Sequence, residues 1–130
     1  MATIFKKIID GELPCHKVAE DENFLAFFDI NPLSIGHTLV IPKNETDYIF
    51  DMEKDEYEAF WTFAKKVSKG LKSVFPCEKI GVSVVGLEVL HAHIHLIPID
   101  SVADMNFAKA KLTVSSDELS RLAKEVSEVI

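Results

Sequence analysis

The chain has 130 residues, 48% of them hydrophobic, which suits a single domain over residues 1–130 with a real core. A formal charge of −7 argues against broad nucleic-acid binding, where a basic face supplies most of the affinity. No apolar run is long enough to span a bilayer, and the opening MATIFKKIIDGEL is too short and too interrupted by charge for a secretory signal, so a cytoplasmic location is expected.

Thr3 is a fair N-cap for a short amphipathic helix through Ile4, Phe5, Ile8 and Ile9, with Gly11 as its stop. Residues 15–20 and 24–29 read as two short strands around a turn at 21–23. Asn31, Pro32, Ser34 and Gly36 form a loop, and HTLVI at 37–41 is a third strand closed by Pro42. From 52 to 74 the period becomes helical, with Tyr57, Phe60, Trp61, Ala64, Val67, Leu71 and Val74 at three- and four-residue steps. Such a stripe reads as a helix packed on a sheet. Residues 79–85 and 91–99 are the last two strands, separated by a turn at Gly86. Residues 100–111 follow no period. Ser115 opens a final helix, with Glu118 placed to complete a capping box and Leu119, Leu122, Ala123, Val126 and Val129 on one face. The sum is an α+β fold: a mostly antiparallel five-stranded sheet, one long helix, and a short helix near each end. Cys15 and Cys77 lie far apart and form no metal or redox spacing, so both are expected to be free thiols.

Three of the five histidines fall in the run His91-Ala92-His93-Ile94-His95. Along a strand, 91, 93 and 95 share one face, roughly 6.5 to 7 Å apart, while Ala92, Ile94 and Leu96 can bury on the other. Imidazole is the usual neutral-pH nucleophile, acid–base group and metal ligand. Spacing alone leaves two functions open. One is a zinc site completed by ligands from elsewhere. The other is nucleophilic attack on phosphorus, with the neighbouring rings stabilising charge on the phosphoryl oxygens and leaving group.

The run HAHIHLI resembles the signature of the histidine triad family, and the likeness extends through TIFKKIIDGELP, DENFLAFFDINPLSIGHTLVIPK and GLEVLHAHIHLIP in the same order. It covers roughly residues 3–98, leaving 99–130 as a C-terminal extension. The branch resembled is that of the Hint-type nucleotide-binding proteins, the nucleoside phosphoramidases and protein-kinase-C-interactor-like proteins. The resemblance implies a homodimer and a purine nucleotide substrate, with no cofactor. It gives His93 the role of nucleophile on the α-phosphorus, with His91 and His95 on the phosphate or leaving group and His37 behind the triad. Asp29 matches the carboxylate that binds ribose hydroxyls, although an Asx turn ahead of Pro32 is an equally good use of it. Phe5, Ile8, Phe28 and Ile30 match positions lining the base pocket; each is also an ordinary core residue type.

Two departures stand out. Relatives often carry zinc-binding cysteines where this chain has Thr3 and Lys6, and a histidine where it has Glu45, so no structural zinc is expected. Small polar residues that help hold phosphate are replaced by Leu87 and Glu88, with Ser83 the nearest polar residue upstream. Three functions follow: hydrolysis or transfer at the α-phosphorus of a nucleoside phosphoramidate or dinucleoside polyphosphate; nucleotide binding with little turnover, acting through partners; and metal-dependent hydrolysis with the triad as ligands. An imidazole nucleophile must be neutral, so activity should fall as pH drops through about 6.5.

Overall fold

The computed structural model describes residues 3–130; Met1 and Ala2, which open the stretch considered for a secretory signal, lie outside it. Helix α1 (Ile4–Ile9) begins where the Thr3 hydroxyl accepts a hydrogen bond from the Lys6 amide at 3.1 Å. Strands β1 (Lys17–Glu20) and β2 (Phe24–Phe28) form a hairpin. Its turn is fixed by the Asp21 carboxylate, which accepts from the Asn23 and Phe24 amides, both at 2.8 Å. Strand β3 (Thr38–Pro42) pairs with β2, and helix α2 (Lys54–Val74) follows. Strands β4 (Lys79–Ser83) and β5 (Ile94–Ile99) and helix α3 (Ser116–Ser127) complete the fold. The sheet order is β1-β2-β3-β5-β4, and every pairing is antiparallel.

The two faces of the sheet carry unequal cores. On one, Phe24, Ala26, Phe28, Val40, Ile94 and Leu96 pack under α2 and α3. The stripe on α2 that does this includes Phe63, while Tyr57 and Trp61 are only partly buried. On the other face Leu25, Phe27, Leu39 and Ile41 are covered by Phe5 of α1.

Several elements differ from the sequence expectation. Helix α2 starts at Lys54 rather than at 52, and β4 ends at Ser83 rather than at 85. The Ser115 hydroxyl caps α3 through the Glu118 amide at 3.1 Å, but the Glu118 carboxylate pairs with Arg121 instead of closing a capping box. The strand expected over 91–99 begins only at Ile94. In register with β3, Ala92 would face Pro42, which has no N–H to give. The Ala92 amide bonds the Thr46 carbonyl instead, at 2.7 Å, so His91 and His93 precede the ladder.

The bend into β3 is made at Gly36, with φ +96, and a Cβ there would meet the Phe75 ring at 2.7 Å. Gly36→Ala should therefore lower unfolding free energy by about 1 to 3 kcal/mol, read as a lower urea midpoint at unchanged slope.

Candidate active site

His37, His93 and His95 converge beside Phe5 of α1, all three buried. The loop that brings His37 there is closed by the Asp29 amide on the His37 carbonyl at 3.0 Å and the His37 amide on the Ser34 carbonyl at 3.1 Å. The Ser34 hydroxyl then ties the loop to β5 through the Pro98 carbonyl, 2.8 Å away.

The hydrogen bonds assign the protons. The Leu33 amide donates to His37 Nδ1 at 3.0 Å, so that nitrogen holds a lone pair and the proton sits on Nε2. His37 Nε2–H then donates to His95 Nδ1 at 2.9 Å, which places the His95 proton on Nε2. His93 Nδ1–H donates to the His91 carbonyl at 2.7 Å and leaves a lone pair on Nε2. The result is one imidazole with an available lone pair beside one with an available N–H, their ring centres 4.9 Å apart.

Burial reinforces this. It is the leading cause that holds all three rings below the usual histidine range, to about 3 for His37 and about 4 for His95, with neighbouring histidines adding to the effect. For His93 the bond to the His91 carbonyl opposes the shift without reversing it. Burial raises the Asp29 carboxyl, against the bond its Oδ1 accepts from the Asn31 amide at 2.8 Å. Its Oδ2 lies 3.8 Å from His37 Nε2.

The remaining expected site residues divide. His91 is fully enclosed: its Nε2–H donates to the Pro42 carbonyl at 2.8 Å and its Nδ1 has no partner. Its hydrogen bond with His93 runs through its backbone carbonyl, not its ring. Phe5 packs edge-on against His93 and His91, with ring centres 5.0 and 6.0 Å away, and Ile8 supports it. Phe28 is not brought to the site, because it faces α2 against Phe75; its neighbour Phe27 is the residue on the triad's side, touching Phe5. Ile30 is 64% exposed at the rim. Ser83 sits opposite His95 in the ladder and so shares its face. Glu88 is exposed, and among the influences on His93 its charge ranks last. Sequence reasoning missed Phe107, whose ring centre is 4.9 Å from that of His95, and Lys111, whose charge acts on Asp29 and His37.

Asp29, His37 and His95 present potential metal-ligand atoms within 4.8 Å of one another. The Leu33 amide works against that use, since it makes Nδ1 of His37 the acceptor and leaves Nε2 protonated. A metal at Nε2 would have to strip that proton and leave an imidazolate, or break the Leu33 bond. A structural zinc at the N-terminus does not fit either. Thr3 is engaged as a helix cap, and the Lys6 ammonium is bound to Asp10 at 2.8 Å.

The HIT domain family matches residues 10–102, and the chain belongs to that family. It is 37% identical over 132 residues to a HIT-like protein of Borreliella burgdorferi, spanning 95% of each chain. It is 32% identical over 133 residues to an adenosine 5'-monophosphoramidase of Schizosaccharomyces pombe, spanning 100% of this chain and 99% of that one. Among solved structures it resembles a Hit-like protein of Bartonella henselae involved in cell-cycle regulation, at TM-score 0.85 and 28% identity over 98% of this chain and 96% of that one. No helix among the described residues is long and apolar enough to cross a membrane.

The depressed histidines have a signed consequence for stability. Below about 6.5 the unfolded chain binds protons that buried His37 and His95 refuse. Stability should thus be full above pH 6.5 and be lost as pH falls toward about 4 for His95 and about 3 for His37. Urea unfolding at pH 7 and pH 4.5 checks this. His37→Asn, whose side-chain oxygen can still accept from Leu33, should show a smaller loss over that interval than the native chain.

Proposed function

We propose that this HIT protein is a nucleotide hydrolase or transferase acting at the α-phosphorus of a purine nucleotide conjugate. Nucleoside phosphoramidates are the preferred class and dinucleoside polyphosphates the second. The observation that carries this is the 2.7 Å bond from His93 Nδ1–H to the His91 carbonyl, which leaves the lone pair on Nε2, an atom with no hydrogen-bond partner among the described residues. Similarity to an adenosine monophosphoramidase over the whole chain supports the substrate class.

In this mechanism His93 Nε2 attacks phosphorus and the bond from phosphorus to the leaving amine breaks. The amine departs with a proton drawn from solvent. The new phosphoryl-imidazolium keeps its Nδ1–H on the His91 carbonyl, which stabilises the positive ring. His95 Nε2–H donates to a phosphoryl oxygen, its direction fixed by His37. Water then attacks phosphorus, releasing the nucleoside monophosphate and restoring His93. Asp29 takes the ribose hydroxyls, and Phe5, Phe27, Ile8 and Ile30 offer apolar surface to the base. Ser83 stands beside His95 for the phosphate or leaving group.

A second reading, nucleotide binding with little turnover, is favoured by the loop ahead of the triad. Leu87 is 82% exposed, and Glu88 is an exposed carboxylate where an anionic substrate must approach. We also infer a cytoplasmic homodimer. Strand β4 is a sheet edge, and Val82, Val85, Leu87 and Leu90 lie exposed along and beyond it.

Incubation with an adenosine phosphoramidate, followed by intact-protein mass spectrometry without acid, should reveal an added nucleoside monophosphate. His93→Ala should abolish the adduct and lower kcat by at least about a thousandfold. Tight nucleotide binding with neither adduct nor turnover in the native chain would favour the binding protein. Burial also displaces the expected acid limb: because His93 is held below the usual range, kcat/KM should stay level through pH 6.5 and fall only at lower pH. Sedimentation should give a dimer, and Leu87→Asp with Val82→Lys should shift it to monomer; a native monomer would sink the dimer.

A further inference from the structure

Residues 100–112 show no helical or strand period, yet the structure holds them in one path across the open face. The path starts at a capping box between Ser101 and Asp104, which sets the turn Val102–Met105. Met105 fills the notch left by Gly81 on β4, where a Cβ would lie 2.6 Å from its sulfur. At the far end the Leu112 amide bonds the Pro32 carbonyl at 2.9 Å, in the loop that carries His37. Between these anchors Asn106 makes a tight turn, its side chain accepting from the Ala108 amide at 2.9 Å. That turn presents Phe107 to the site, its ring centre 4.9 Å from that of His95 and 6.3 Å from that of His37. From Ala103 onward the stretch lies beyond the part of the chain that the family matches, which ends at 102.

We propose that Phe107 is a positioning residue of the active site: clamped between Met105 and Leu112, its ring keeps bulk water off the His37–His95 pair and so holds His95 with Nε2–H toward the substrate. The proposal rests on the catalytic role given to the triad above. Its physical basis is competition. A hydrogen bond between two neutral imidazoles is strong where water is excluded, and water that reaches either ring both replaces the bond and favours the protonated form. Protonation at His95 Nδ1 would turn that atom from acceptor to donor and set it against His37 Nε2–H. The groups facing the pair are Asp29 and Lys111 beside His37, His93 and Ser83 beside His95, and Glu88 acting through His93. Burial outranks each of the charges in keeping both rings neutral, and the Phe107 ring, packed on both, is part of that cover.

The test is a histidine-ring NMR pH titration of the full chain without substrate, paired with the pH profile of adenosine phosphoramidate turnover. Phe107→Ala should raise the titration midpoints of His37 and His95 toward 6.5, by about one pH unit or more, and move the acid limb of kcat the same way. Phe107→Leu restores an apolar cover and should titrate like the native chain. Leu112→Pro keeps the ring but removes the amide that bonds Pro32, and should shift the midpoints part of the way; it carries the test if Phe107→Ala does not fold. Unchanged midpoints in both Phe107→Ala and Leu112→Pro, or a Leu variant that behaves like the Ala variant, would overturn the proposal. Because the titration needs no turnover, loss of the His93 adduct in the native chain would count against the catalytic reading separately.

Discussion

The hydrogen bond from the Leu33 amide to His37 Nδ1 sets the direction of the donor side of the site. A backbone N–H can only donate, so this nitrogen can only accept, and the choice propagates through the bond from His37 Nε2–H to His95 Nδ1. A second backbone group, the His91 carbonyl, makes the complementary choice for His93. One ring is thereby left with a lone pair and its neighbour with a proton, from three side chains of identical chemistry. The main chain does the discriminating, which is why the loop geometry around Gly36 and Ser34 matters as much as the histidines.

Burial and tautomer act together. The attack proposed for His93 and the donor chain from His37 to His95 both need neutral imidazoles, and Phe5 packed on His93 and Phe107 packed on His95 add to the burial that disfavours imidazolium. The same enclosure raises Asp29 by desolvation. A formal charge of −7 is compatible with the anionic substrate proposed, because the groups that would meet phosphate are N–H donors and neutral rings. Lys111 is the cation whose field reaches both Asp29 and His37.

Much of this was legible in the residues. The run HAHIHLI marked the cluster of imidazoles, although His91 and His93 precede the strand that alternation predicted, while the long amphipathic period marked α2, and Thr3 and Ser115 marked two helix starts. What could not be read has identifiable causes. Strand β2, FLAFF, is buried at all five positions, so apolar character cannot say which residues face the triad; pairing with β3 turned Phe27 toward it and Phe28 away. The extent of β5 depended on Pro42 in another strand. The crossing of 105–112 has no period because its fixings are single contacts to Gly81 and Pro32, each distant in sequence.

The sequence by itself determined the fold class, the family and the cluster of histidines, since periodicity and local motifs are properties of neighbours along the chain. Only the tertiary structure decided which nitrogen carries each proton, which aromatic rings pack on the histidines and how far the imidazoles are held from protonation. Those depend on backbone groups and burial contributed by segments far apart in the chain. A hydrogen bond from Leu33, or a ring packed from position 107, leaves no trace in the residues beside the histidines that it meets.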